Sequence, residues 1–282
     1  MARATALLLA LALALALGPS RTAAQAADGT KKVGVLDLFP FAYKAPNGTL
    51  TGEWRFDVAV ATKACELTGL KCEMVPLVVA DRIPKLRDGT VDMLFAGLTK
   101  TADRAKEVLS VAPSYYASGA SLFALQDKAA NAADWAAIKG QKICALAGYY
   151  LNPDLKAKYG ADLVEVPDSA AMLDKLVAGD CTAAVTDTTD LSLIQAGKDK
   201  GVNVVVTAAP ALDPAPYAAA VRLGEEDLAV KLSGAIAQGL LSAGNSSAIF
   251  SLEDQYILSN GGQPAPYLAN LAEAITCMVP CT

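Results

Sequence analysis

The sequence predicts an α/β protein in which strands and helices alternate in two series. Three observations carry this. Apolar strand-like runs alternate with helix-like stripes along most of the chain. Its 282 residues, 53% apolar and 19% charged, are enough for about two domains with sizeable cores. And one helix–glycine–strand–turn unit occurs twice with the same spacing.

In chain order, residues 32–37 form the first apolar strand, and Pro40, Pro46 and Asn47-Gly48 mark a loop and turn. Phe56, Val60, Ala64 and Leu67 make a helical stripe. Residues 72–79 follow as a strand, then a short helix with Asp81 and Pro84 early and Gly89 at its end. Residues 91–96 read as a buried strand, Thr101 as the start of another helix, and the stretch after Gly119 as a strand reaching Leu125. A polar, Ala-rich stretch at 127–134 resembles a linker. A second series follows: strands at 141–146 and 162–166, a helix at 168–178, a strand at 181–186, a helix from about Asp190 and a strand at 202–207. Pro210, Pro214 and Pro216 mark a boundary before a strand at 217–223. Glu225, Glu226 and Asp227 open a long helix with acids in its first turn, residues 245–247 break it, and 248–258 form a last helix.

The repeated unit locates candidate chemistry. Lys85-Leu86-x-x-Gly89 is followed by Gly97 and Thr99, and Lys175-Leu176-x-x-Gly179 by Asp187 and Thr189 at the same offsets. Both turns fall just past the carboxyl end of a strand, the edge at which open α/β sheets bind ligands. Two such halves facing each other place the turns on opposite walls of one cleft. Thr99-Lys100-Thr101-Ala102-Asp103-Arg104 offers a hydroxyl, free N–H groups at a helix start and a guanidinium that can fork onto a carboxylate. The plainer alternative is that Thr101 caps the helix and Arg104 pairs with a surface acid. Asp187 can pair with an ammonium group or, more plainly, act as a helix N-cap.

Composition removes other classes. With 24 basic and 29 acidic residues the net charge is −5, against a nucleic-acid partner bound through phosphates. The absence of histidine removes His-based triads, metal sites and proton shuttles. No metal or cofactor is expected.

Residues 1–26 read as a cleaved secretory leader: Arg3, an Ala/Leu run from Ala6 to Leu17, and the cleavage pattern Ala24-Gln25-Ala26. The apolar run is short of the length needed to span a bilayer. A periplasmic or extracellular location is expected. Six cysteines agree with export, and three structural bridges are favoured over a metal site because no two C-x-x-C pairs are present. Cys65 near a helix end can staple to Cys72 at the next strand. Cys144 and Cys181 sit in two strands expected to be parallel neighbours, and Cys277 with Cys281 would close a small loop.

The chain resembles a type-2 periplasmic solute-binding protein of the amino-acid-binding branch, solute-binding family 3. The residues that carry the resemblance are Phe39-Pro40-Phe41, Phe56-Asp57-Val58, Ile83-Pro84-x-Leu86-x-x-Gly89-x-x-Asp92, Ala96-Gly97-Leu98-Thr99-x-Thr101-x-x-Arg104-Ala105 and Ser114-Tyr115-Tyr116-x-Ser118-Gly119. Ile138-Lys139-Gly140-x-Lys142, Ala147-Gly148, Ala184-Val185-Thr186-Asp187 and Pro216-Tyr217 with Val221-Arg222 continue it. The Cys65–Cys72 spacing is similar to a disulfide of basic-amino-acid and histidine-binding members.

The resemblance implies a two-lobed fold with a hinge and a central cleft: a signal peptide at 1–26, lobe one at 27–122 plus 217–282, and lobe two at 123–216. Its crossings would lie near residues 122–126 and 214–219. Arg104 and Thr99 would hold a ligand carboxylate, Gly97 would offer its carbonyl to the ligand amino group, and Asp187 would pair with that ammonium. The Gly148 turn would add N–H groups to the carboxylate. The implied activity is that of a monomeric, non-catalytic receptor delivering a small carboxylate or amino acid to an ABC permease in the inner membrane.

Departures from the family pattern concern the ligand side chain. The position for an aromatic before Pro-x-Phe holds Leu38, Val78-Val79-Ala80 replaces a second aromatic, Tyr149 and Tyr150 follow Gly148 where Ser or Thr is usual, and residues 52–56 are longer than the usual junction. The aromatic grip is therefore missing or rebuilt, with Asp37, Phe39, Trp54, Tyr149 and Tyr150 as candidate contacts. Two alternatives share the scaffold. One is a dehydratase acting on a cyclic carboxylate through an acid such as Glu53 or Glu165. The other is a soluble sensor protein that presents its ligand to a membrane receptor.

Overall fold

The computed structural model describes residues 29–42, 56–242, 247–262 and 264. The expected leader, Trp54, Glu53, Cys277 and Cys281 lie outside the described residues. The strands and helices run β1 (Lys31–Leu36), α1 (Phe56–Thr68), β2 (Cys72–Leu77), α2 (Arg82–Arg87), β3 (Met93–Phe95), β4 (Val108–Ser110), β5 (Tyr116–Ser118) and β6 (Ala120–Leu125). They continue as β7 (Lys142–Leu146), α3 (Asn152–Ala157), β8 (Asp162–Val166), α4 (Ser169–Ala178), β9 (Ala183–Asp187), α5 (Ser192–Asp199) and β10 (Val204–Val206). The chain returns through β11 (Ala215–Tyr217), β12 (Ala220–Arg222), α6 (Glu226–Ala235) and α7 (Ala248–Tyr256).

Two five-stranded sheets result, ordered β2-β1-β3-β12-β4 and β10-β6-β9-β7-β8. Strands β1, β2 and β3 are parallel in the first, and β7, β8 and β9 in the second. The expectation of largely parallel sheets needs one correction. In the first sheet β12 runs antiparallel to β3 and β4, and in the second β6 runs antiparallel to β9 and β10. These are the strands that enter a sheet straight from a crossing, with no helix to reverse the chain. The crossings themselves pair with each other: β5 and β11 form a two-stranded antiparallel ribbon, Tyr116 opposite Tyr217. The first crossing thus lies before the expected 122–126, which falls inside or just after β6.

Local chemistry explains the frame. Val33, Val35 and Leu36 are buried on β1, as expected of a strand covered on both faces. Helix α1 buries Phe56, Val60, Ala61 and Ala64 against β1 and β3, and full burial of Phe56 alone is worth about 2–3 kcal/mol. Helix α4 starts where the Asp168 carboxylate accepts the Ala171 N–H at 2.8 Å, and it stops at Gly179 with φ 77°. The helix expected from Thr101 is instead one 3₁₀ turn, Arg104–Lys106, because β4 begins at Val108. Likewise α5 begins at Ser192, two residues after the expected Asp190. No helix among the described residues is long and apolar enough to cross a membrane.

Both testable disulfides are formed. Cys65 joins Cys72, and Cys144 on β7 joins Cys181, two residues before its parallel neighbour β9. Their sequence separations are 7 and 37 residues. Replacing Cys144 and Cys181 together by alanine is expected to lower the unfolding free energy by about 4 kcal/mol, and the Cys65/Cys72 pair by about 2.5 kcal/mol, from loop-closure entropy. Urea unfolding of the two double variants checks this, and the reverse ranking would contradict it.

Candidate functional site

The carboxyl ends of the parallel strands in both sheets converge on one interlobe cleft. From the first sheet come the segments after β1, β2 and β3, with Leu38, Val79, Arg82, Gly97 and Thr99; from the second come Gly148 and Tyr149 after β7 and Asp187 at the end of β9. The cleft has an outer part of about 550 Å³, lined by Arg82, Arg104, Tyr149 and Tyr150 among others. Beneath it lies an inner cavity of about 10 Å³ between Thr99, Gly97, Tyr149 and Asp187. That inner volume is close to a single water-sized probe.

Arg104 spans the cleft. It is 9% exposed, its Nη1 donates to the Thr99 carbonyl at 2.9 Å, and its Nη2 donates across to the Gly148 carbonyl at 3.1 Å. The Thr101 hydroxyl accepts the Arg104 N–H at 3.2 Å and so fixes the turn. Burial lowers the Arg104 pKa, and Asp187 opposes that shift. Gly148 sits in the left-handed region, φ 74°, and a Cβ there would come 3.1 Å from Ala80 Cα on the opposite wall. The close approach of the two walls requires glycine at this point.

Asp187 is also buried, but it does not cap a helix. Tyr149 Oη donates to its Oδ1 at 2.6 Å, and Tyr217 Oη donates to its Oδ2. Burial raises its pKa to about 6, against the lowering effect of the two tyrosine hydroxyls. Behind it, Asp190 accepts from the Thr186 hydroxyl at 2.6 Å and from the Ser192 N–H at 2.9 Å.

The Gly97 peptide is clamped on both sides. Its N–H donates to Tyr115 Oη at 3.1 Å, and that hydroxyl donates to Asp57 Oδ1 at 3.0 Å. Its carbonyl accepts Arg82 Nη1 at 3.0 Å, as does the Ala96 carbonyl at 2.8 Å, while Arg82 Nε donates to the Val79 carbonyl at 3.1 Å. Arg82 is 3% exposed; burial and, next, the Arg104 charge bring its pKa down to about 10.

The residues singled out in the sequence divide accordingly. Arg104, Thr99, Gly97, Asp187, Gly148, Tyr149 and Tyr150 meet at the cleft. Asp37 and Phe39 line neither part; Leu38 and Phe41 face the inner cavity instead. Arg104 donates to the Gly148 carbonyl, and the Gly97 carbonyl accepts from Arg82. Glu165 reaches the outer rim but pairs with Lys156 at 2.9 Å. Sequence reasoning missed Arg82, Tyr217 and the Asp57–Tyr115 pair. Arg82 stood in view before Ile83-Pro84, yet helical spacing alone does not distinguish a buried arginine from a surface one.

Comparison with known proteins settles the family. The sequence matches the bacterial extracellular solute-binding proteins, family 3, over residues 32–250. The chain belongs to that family. It is 30% identical over 223 residues to an L-arginine-binding protein of Pseudomonas aeruginosa, covering 75% of this chain and 83% of the relative. It is 27% identical over 201 residues to an ABC transporter glutamine-binding protein of Bacillus subtilis, covering 70% of each. An ancestral arginine-binding protein bound to arginine superposes with a TM-score of 0.67 at 24% identity, over 81% of this chain and 98% of that one. An ancestral amino acid-binding protein described as a precursor of cyclohexadienyl dehydratase gives 0.66 at 24% identity, over 81% and 96%. These neighbours share the two-lobed fold expected from the sequence.

The buried carboxyls predict a pH dependence. Burial raises the Asp57 pKa from 3.8 to about 8. In that interval the folded protein holds a proton that the unfolded chain has lost, so the stabilisation is complete below pH 3.8 and is lost as pH rises to about 8. Asp187 adds a loss ending near pH 6. Asp57→Asn is expected to flatten the decline in Tm between about pH 6 and 8, read by thermal melts across that range. A wild-type Tm that holds level or rises over the interval would be incompatible with a buried neutral Asp57.

Proposed function

We propose that the protein is a non-catalytic receptor that captures a small carboxylate-bearing solute, an amino acid or related compound, in the interlobe cleft. It would act outside the cytoplasm after loss of the leader at 1–26 and hand its solute to an ABC permease in the inner membrane. The observation that carries this reading is the meeting of Arg104 from one lobe with Gly148, Tyr149 and Asp187 from the other across a single cleft. A guanidinium there is suited to a carboxylate in bidentate geometry. The relatives named for binding arginine and glutamine support the class of solute.

The mechanism is hinge closure. The chain passes between the two sheets through the paired strands β5 and β11, which carry both crossings. A solute touching both walls favours the closed form by the contacts it makes only there. Arg104 contributes one hydrogen bond between the two sides of the cleft, to the Gly148 carbonyl.

Two variants test the site. Arg104→Ala is expected to cost about 2–5 kcal/mol of binding, at least about thirtyfold in Kd, for whichever amino acid or small organic acid best stabilises the protein in a thermal-shift screen. Stabilisation unchanged by that substitution would remove the site. Gly148→Ala, which adds a Cβ against Ala80 at a left-handed position, is expected to shift the protein toward the open form and weaken the same solute about tenfold. Small-angle scattering would read the opening; a radius of gyration equal to wild type would contradict it.

A further inference from the structure

Two guanidinium groups, not one, face the cleft, and they share an unusual feature. Every hydrogen bond that the Arg82 and Arg104 guanidiniums make to the described residues goes to a main-chain carbonyl: Val79, Ala96 and Gly97 for Arg82, and Thr99 and Gly148 for Arg104. Arg82 Nη2 has no hydrogen-bond partner among the described residues, and Arg82 lines both the outer cleft and the inner cavity. Carbonyl dipoles solvate a buried cation but do not neutralise it.

The acids around the cleft are committed elsewhere. Asp103, Glu107 and Glu165 on the outer rim pair with Lys106, Arg87 and Lys156, none of which lines the cleft. Asp154 sits in the first turn of α3, where the helix end favours an acid. Asp187, whose charge favours both guanidiniums as that of the buried Asp57 favours Arg82, has each oxygen held by a tyrosine hydroxyl and makes no hydrogen bond to either arginine. Asp190 is held in turn by Thr186 and Ser192.

The position at which a solute ammonium would meet Asp187 is therefore filled by Tyr149 Oη, and the space beside it holds about 10 Å³. An ammonium needs both that volume and that oxygen. The outer cleft, at about 550 Å³, has ample room and presents the two guanidiniums. Resting on the reading that the cleft binds a carboxylate solute, we propose that this protein selects a small dicarboxylate without an α-ammonium. Arg104 and Arg82 bind its two carboxylates, and Tyr149 excludes the amino group. This sets it apart from relatives named for arginine and glutamine.

The test is isothermal titration calorimetry of the mature protein with succinate, glutarate and 2-oxoglutarate against L-glutamine and L-arginine. At least one dicarboxylate is expected to bind about tenfold or more tightly than either amino acid. Arg82→Gln is expected to weaken that dicarboxylate about tenfold or more. Tyr149→Thr, which frees Asp187 Oδ1, is expected to raise L-glutamine affinity relative to the dicarboxylate. If Arg82→Gln fails to fold, the wild-type ranking and the Tyr149→Thr reversal decide. An amino acid that outranks every dicarboxylate on the wild type overturns the selectivity and leaves the receptor reading standing, as does a Tyr149→Thr ranking identical to wild type. Absence of any solute whose binding depends on Arg104 overturns the receptor reading and this inference with it.

Discussion

The site depends on a cation buried between two lobes. Arg104 reaches from the turn after β3 to carbonyls on both walls. A hydrogen bond from a charged donor is worth more than a neutral one, about 1.5–3 kcal/mol net, so this contact helps hold the two walls together. Carbonyls carry only partial charge, and burial still acts against the guanidinium, lowering its pKa. On the reading proposed above, an anionic solute in the cleft would supply what the carbonyls do not.

Asp187 poses the complementary problem. A buried carboxylate can be held by a cation or by neutral hydroxyls. A cation would keep its pKa down; two hydroxyls oppose burial only in part, and the pKa remains raised at about 6. Tyr149 and Tyr217 thus keep the acid in place without supplying a positive charge. They come from different parts of the chain, Tyr149 from the turn after β7 and Tyr217 from the returning strand β11, so the hydroxyl pair also ties the crossing ribbon to lobe two. Asp187 in turn offsets part of the cost of burying Arg104 and Arg82, without a direct hydrogen bond to either.

Much of this was legible in the sequence, for physical reasons that differ by residue. The helix over 168–178 was readable because Asp168 and Gly179 carry its start and stop signals in their own side chains. Arg104 and Asp187 were placed on facing walls because strand ends of a repeated unit share an edge, and the resemblance gave them roles. The antiparallel entry of β6 and β12 was not legible, because an apolar run records burial and not the direction of its neighbour. Nor were the Tyr149 and Arg82 contacts. Both depend on rotamers and on carbonyls distant in sequence, which no local pattern encodes. The helix expected from Thr101 failed for a simpler reason: its capping signal was real, since Thr101 does bond the Arg104 N–H, but the chain had too few residues left before β4.

Backbone and side chain divide the work of this cleft. The clamp on Gly97, through Tyr115 and Asp57 on one side and Arg82 on the other, holds main-chain atoms, as do the Arg104 bonds to Thr99 and Gly148. Main-chain positions are shared by any sequence that adopts the fold, which is why structures at 24% identity superpose over 81% of this chain. What a solute meets is set by a few side chains on that frame. A serine or threonine after Gly148 is too short to fill the space beside Asp187, whereas Tyr149 spans it. A long side chain at a backbone position common to the fold thus changes which groups Asp187 meets while the main-chain frame around it stays the same.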